Sequence, residues 1–408
     1  MKILLIAIFS LLSLKALSQN NSLSIQEAID QAIKNNRSLM AATLEVKSQR
    51  QLRKTSFDLP KTDVTLLYGQ YNSYAKNENN ITITQAIPFT VFGSQGSLNR
   101  SLIASSELKK AATENEIIYQ VKQAFYQLAF VKARHDLLLQ QDSLYEGFLK
   151  SASLRYKTGE TNLLEQTTAQ VQSNEIKNQL RINESEIIVL RSHLKTLLNT
   201  KSLPEIAGSR LVALQFNDIP DTNALTSNPS LAYMRQQIDV ARSQKKVVAA
   251  KFAPELLVGF FSQTLIGTPN EDGSIANSRD RFTGFQVGLA IPLWFAPHQG
   301  RVKAAEFNKL AAQRNYEYYQ ISFQGQLQQA AQQYAKNKSS LEYFNKSALP
   351  NADLILKQSQ AAFRGGEIGY AEYLLSLRNA IGIKESYLKT LNDYNQSIFY
   401  IEYLSGNK

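Results

Sequence analysis

The feature that most constrains this sequence is that its landmarks occur twice, in the same order. Ile87-Pro88 and Gln95-Gly96 recur 204 residues later as Ile291-Pro292 and Gln299-Gly300. Gly159-Glu160 with Glu165 recurs 207 residues later as Gly366-Glu367 with Glu372. Upstream, Asn36 with Ser38-Leu39 matches Asn228 with Ser230-Leu231, and Pro60 matches Pro254. A repeat decides the architecture before any single element does. The chain therefore divides into residues 19–210 and 211–408, two copies of one plan.

Each copy reads as a helix, two strands, a very long helix, a glycine turn and a returning helix. Residues Asp63–Asn72 and Asn80–Ile87 alternate apolar with small or polar side chains, the period of a strand. In the second copy Leu256–Thr264 pairs with a strand in which Phe285, Val287, Leu289 and Ile291 alternate with Gly284, Gln286, Gly288 and Ala290. That glycine-rich face suits close packing or a water-lined interior. The polar stretches Tyr71–Asn79 and Gly267–Asp280 read as hairpin loops. Pro60, Pro88, Pro254 and Pro292 stand at strand ends, where a missing N–H is tolerated.

Helices make up the remainder. The leading helix spans Ser24–Ser56. From Gly96 to Lys157 no proline interrupts, which predicts a helix about 90 Å long. The return helix Asn162–Asn199 carries Ile176, Leu180, Asn183, Ile187, Leu190, Leu194 and Leu197 at alternating spacings of four and three, a coiled-coil seam. In the second copy Leu374, Leu377, Ile381, Leu388, Leu391 and Ile398 form a similar seam, interrupted by Lys384 and Asn395. Two antiparallel hairpins follow, with tips at Gly159 and Gly366.

The first residues fit an exported protein. Met1-Lys2, an apolar run from Ile3 to Leu14 and Ala16-Leu17-Ser18 predict a signal peptide over residues 1–18. No later stretch of 18 apolar residues is present, so membrane insertion falls to strands. There is no cysteine, which excludes disulfides, thiolate metal sites, catalytic thiols and a lipidated cysteine. The formal charge of +11 is spread along helical stretches without a block of five, which argues for solvated faces and against nucleic acid.

Catalytic chemistry finds no foothold. His135, His193 and His298 are too dispersed for a metal site. The run Gly365-Gly366-Glu367-Ile368-Gly369 lacks the lysine and hydroxyl of a phosphate loop, and reads as a turn between helices. Tyr119, Phe125, Tyr126, Phe130, Tyr316, Tyr318, Tyr319 and Phe323 fall at helical spacing and are expected to pack between helices. No catalytic residue, metal or cofactor is expected.

Several segments carry a family resemblance. Leu23-Ser24-Ile25-Gln26-Glu27-Ala28 followed by Asn35-Asn36, the Ile-Pro before a Gln-Gly helix start, and the tip Arg155-Tyr156-Lys157-Thr158-Gly159-Glu160-Thr161-Asn162-Leu163-Leu164-Glu165 resemble the TolC-like outer-membrane efflux proteins. The stretches Lys54–Pro60 and Ile291–Trp294 are most similar to outer components of heavy-metal efflux systems of the resistance-nodulation-division class. The resemblance implies a mainly α fold with a small β part, in which a trimer joins four strands per chain into one 12-stranded barrel above an α-helical barrel in the periplasm. Counting strands gives the same number: an open edge in lipid is not tolerated, and about 12 strands, unlike about 8, leave room for a pore.

The expected function is a passive duct of the Gram-negative outer membrane. It takes cargo from an inner-membrane pump and a periplasmic adaptor, and acts as a homotrimer in contact with lipid. Arg155, Lys157, Gly159, Glu160, Arg364, Gly365, Gly366 and Glu367 at the tips are candidate adaptor-docking residues. Glu165 and Glu372 either cap the return helices through the helix dipole or form an acidic ring at the entrance. The alternative is a periplasmic coiled-coil adaptor of an efflux or type I secretion system, for which one hairpin, not two, is expected.

Overall fold

The computed structural model describes residues 22–206, 211–216 and 227–406. The expected signal peptide, 1–18, lies outside them. The elements are α1 (Ile25–Asn35), α2 (Arg37–Leu52), a 3-10 turn (Arg53–Phe57), β1 (Asp63–Tyr68), β2 (Asn79–Ile87), α3 (Phe89–Lys157) and α4 (Leu163–Leu198). The same order returns as α5 (Pro229–Ala250), β3 (Glu255–Gln263), β4 (Phe282–Ala290), α6 (Phe295–Tyr343), a π-helical turn (Phe344–Ala348), α7 (Leu349–Gly365) and α8 (Tyr370–Ser405). The described residues form two compact units: 22–40 with 113–206, 211–216, 227–228 and 323–406, and 41–112 with 229–322. Each unit draws on both copies of the plan.

The second unit holds one antiparallel sheet in the order β1-β2-β3-β4. The middle pair joins the two copies, with Ile83 opposite Phe260. Register follows from the alternation read in the sequence, because a one-residue slip would turn every side chain over. Val64 faces Ile83, Ile83 faces Phe260 and Phe260 faces Phe285, so one face is apolar across all four strands. It lies bare in the single chain: Phe285 is 85% exposed and Val287 76%. The opposite face carries Thr65, Thr82, Phe261 and Gly284 in one row and Thr84, Gly259 and Gln286 in another.

Strand β1 is shorter than the alternation predicts. Gly69 takes φ of 129°, and the following loop closes on the buried Glu78. The Glu78 carboxylate accepts the Asn72 and Ser73 amides at 2.9 Å each and the Ser73 hydroxyl at 3.0 Å. Burial by itself would raise its pKa, but these donors hold it below the usual carboxylate range. At the base of the other loop, Arg281 donates from Nε to Ser262 Oγ at 3.0 Å and from Nη2 to the Ser262 carbonyl at 2.6 Å.

In the first unit the two seams are the packed faces of α4 and α8. Ile176, Leu180, Leu194 and Leu197 are buried on α4, as are Leu377, Ile381, Leu391 and Ile398 on α8. Their polar interruptions bind backbone. Asn183 donates to the Val131 carbonyl, and Asn395 donates to Val212 and accepts the Leu214 amide at 3.0 Å.

Three local features depart from the sequence reading. The leading helix breaks at Asn36, which is extended at φ −63° and ψ 126°; its side chain caps α2 through the Ser38 amide and donates to the Leu197 carbonyl. The long helix starts at Phe89 rather than Gly96, directly after Pro88, whose carbonyl accepts the Val91 amide. In the second copy the π-helical turn stands just before Pro350, where a proline removes an N–H and crowds the preceding turn.

The Asn36 device has a counterpart. Asn228, fully buried, donates to the carbonyls of Tyr403 and Leu404 at the end of α8. Both return helices then stop in the left-handed region, at Asn199 with φ 47° and Gly406 with φ 71°. Asn228→Ala removes both donations from a buried position and is expected to destabilise the fold by about 1–3 kcal/mol. An unchanged melting temperature of the purified variant would contradict that assignment.

Candidate functional site

Two helix turns in the first unit carry the residues singled out in the sequence. At the first, Gly159 adopts φ 77°, its amide donates to the Tyr156 carbonyl at 3.1 Å, and the Glu160 amide donates to the Arg155 carbonyl at 2.8 Å. At the second, Gly366 adopts φ 74°, its amide donates to Phe363 at 3.2 Å, and that of Glu367 to Ala362 at 2.9 Å. Both are Schellman closures, which satisfy the last carbonyls of the incoming helix and place glycine where a Cβ is penalised. The returning helices start differently. Asn162 caps α4 by accepting the Glu165 amide at 3.0 Å, whereas Gly369 caps α8 without a side chain.

The charges at the turns are unequally placed. Arg155 ties the first turn together, reaching Glu165 Oε1 at 3.2 Å and Glu160 Oε2 at 3.9 Å. Glu165 is thereby held against its own chain, its side chain only 14% exposed. Glu372, its counterpart on α8, is exposed in the first helical turn, and so are Lys157, Glu160, Arg364, Gly365 and Glu367.

Behind the turns the hairpins meet through rings. Phe363 stacks on Tyr373 with centroids 4.8 Å apart, and Phe148 lies 5.4 Å from Phe363 and 5.0 Å from Tyr370. A groove of about 600 Å³ opens between them, lined by Tyr145, Leu164, Glu165, Tyr370, Leu375 and Arg378 among others. Burial, reinforced by the Glu165 charge, pushes the Tyr370 phenol up to about 12. Leu164, which lines the groove, is 73% exposed, and Leu154 and Leu163 near the same turn are exposed as well. The docking candidates read from the sequence were charged residues and glycines; these leucines were not among them, although all three flank the glycine turn.

The remaining candidates are scattered. His135 sits 3.8 Å from Glu184, the His298 ring meets Phe252 edge-on at 5.1 Å, and His193 is exposed. Among the described residues no group of three or more His, Cys, Asp or Glu side chains is placed to hold a metal ion. Of the aromatic residues expected to pack, Phe125 and Phe323 are buried. Tyr318 and Tyr319 correct that expectation: both are exposed, and on α6 Tyr318 continues an apolar stripe of Phe307, Leu310 and Ile321 that the single chain leaves uncovered. Among the described residues no helix is long and apolar enough to cross a membrane.

Residues 222–399 match the family model described as outer membrane efflux protein. The fold is shared with solved membrane proteins, channels among them. A membrane protein from Pseudomonas aeruginosa superposes with a TM-score of 0.80 at 14% identity, covering 93% of this chain and 90% of that one. The Campylobacter jejuni CmeC outer membrane channel gives 0.79 at 14% identity, with 94% and 85% covered. CusC, a protein that forms a transmembrane channel, gives 0.74 at 16% identity, with 96% of each chain covered. No curated protein matches the chain in sequence.

Proposed function

We propose that this chain, whose residues 222–399 fall in the outer membrane efflux protein family, is the outer-membrane channel component of an efflux pump. It is a passive duct that carries out no chemistry. The observation that carries the reading is the four-stranded sheet with one apolar face and two unpaired edges, β1 and β4. Strands β2, β3 and β4 have nine residues each, close to the roughly 9–11 that a tilted membrane strand needs.

Three chains close the barrel, β4 of one pairing with β1 of the next. The uncovered stripe on α6 supports this homotrimer, and so does a second line on α4, where Leu164, Val171, Ile182 and Val189 are exposed at spacings of seven and eleven. The two glycine turns, with their exposed charges and leucines, are the docking points for a periplasmic adaptor that links the duct to an inner-membrane pump. A periplasmic adaptor is disfavoured as the chain's own identity by a sheet whose apolar face has no cover among the described residues.

The duct reading fixes which side the strand loops face. Asn77 and Asn277 are exposed in the loops between paired strands, and the chain has no cysteine of its own. Asn77→Cys and Asn277→Cys are each expected to react with an impermeant thiol reagent on intact cells. Reaction only after the outer membrane is broken would refute the topology.

A further inference from the structure

The face of the sheet opposite the apolar one is patterned by glycine. Three successive cross-strand pairs between β3 and β4 on that face join one glycine to one longer side chain: Leu257 to Gly288, Gln286 to Gly259 and Phe261 to Gly284. At two of them the longer side chain fills the space that a Cβ would need. A Cβ on Gly284 would lie 2.6 Å and 2.7 Å from two ring carbons of Phe261, and one on Gly259 would lie 2.6 Å from Nε2 of Gln286. Gln286 then reaches past Gly259 to donate to Thr84 Oγ1 on β2 at 3.2 Å. Gly288 is different, with Leu257 at an ordinary 3.8 Å.

Side chains on a strand ordinarily stand roughly perpendicular to the sheet. Phe261 and Gln286 instead lie across it, over the glycines of the neighbouring strand. We propose that Gly284 sets the bore of the duct: it gives the Phe261 ring a place to lie flat, and Gly259 does the same for Gln286 one pair further along. The proposal rests on the channel reading, in which this face lines the passage. A side chain at residue 284 would then turn three rings, one from each protomer, into a single opening. Bulky cargo is excluded before small cargo.

The test uses a cysteine beyond the ring. Ala86 lies on the same face as Thr82, four residues further along β2 from the loop end, and Thr82 stands opposite Phe261. In Ala86→Cys, thiol reagents that enter the duct from the cell exterior must pass the Phe261 level. Small and bulky reagents are both expected to react, and adding Gly284→Ala is expected to slow the bulky one several-fold while sparing the small one. Further replacement by Phe261→Ala restores the bulky reagent, and Gly288→Ala in place of Gly284→Ala has no effect. A Gly284→Ala protein that reaches the membrane only when Phe261→Ala accompanies it supports the same ring contact. Equal rates with and without Gly284→Ala, no recovery on removing the ring, or failure of both variants to insert overturns the proposal. Absence of any reaction at Ala86→Cys in the otherwise unaltered protein refutes the channel reading itself.

Discussion

Gly366→Val is expected to abolish pump-dependent resistance while the protein still assembles in the outer membrane, and Gly159→Val to do the same. Both glycines hold positive φ, and a Cβ at either would meet nothing within 4 Å. With open space around the Cβ, the substitution acts chiefly through backbone strain, about 1–2 kcal/mol for a residue forced into the left-handed region. That is too little to unfold a protein whose hairpins are held by buried seams. It is enough to open the Schellman closure, which positions Glu160 and Glu367 through their own amides. The strands belong to the other compact unit and share no residue with the turns. Gly366→Asn supplies the control, since asparagine tolerates the left-handed region, and it should retain most resistance. Resistance measured beside the abundance of assembled protein separates the cases. Normal resistance in both valine variants would show that the turns do not dock the partner, and loss of assembly would show that they serve the fold.

Sequence made the helical part legible where burial repeats. The α4 and α8 seams are visible because a buried line on a long helix must recur at spacings of three and four, and Asn183 and Asn395 are visible as breaks in it. What those asparagines bind was not visible, because Val131 and Val212 are distant in sequence. The break at Asn36 was hidden by good helix formers on either side. Its sign was the repetition of the residue as Asn228, which binds the end of the other return helix in the same way. At the turns, glycine and charge were legible. The Arg155 contact that draws Glu165 inward was not, since a pair of this kind depends on rotamers. Likewise, glycine on alternate positions of β4 was plain, but its partnership with Phe261 follows only from the β3–β4 register.

The second large effect is assembly itself. A chain with β1 and β4 unpaired cannot rest in lipid alone, because each backbone group left without a partner in the hydrocarbon costs several kcal/mol. The apolar face that runs from Val64 through Ile83 and Phe260 to Phe285 is favourable only against lipid, so water is no refuge either. Four strands do not close, and about 8 fill their own interior with side chains; about 12 are the smallest multiple that leaves a passage. In the proposed trimer, mutual closure would also cover the exposed apolar stripes on α4 and α6. The protein is accordingly expected to exist as a trimer or not to fold in the membrane at all, with no stable monomer between.

The mass of the purified, detergent-solubilised protein tests this most directly, measured with the detergent contribution subtracted. Three chains per particle is the result that the closed barrel requires. A stable particle of one or two chains, retaining its strands, would contradict the duct and with it the function proposed for this protein.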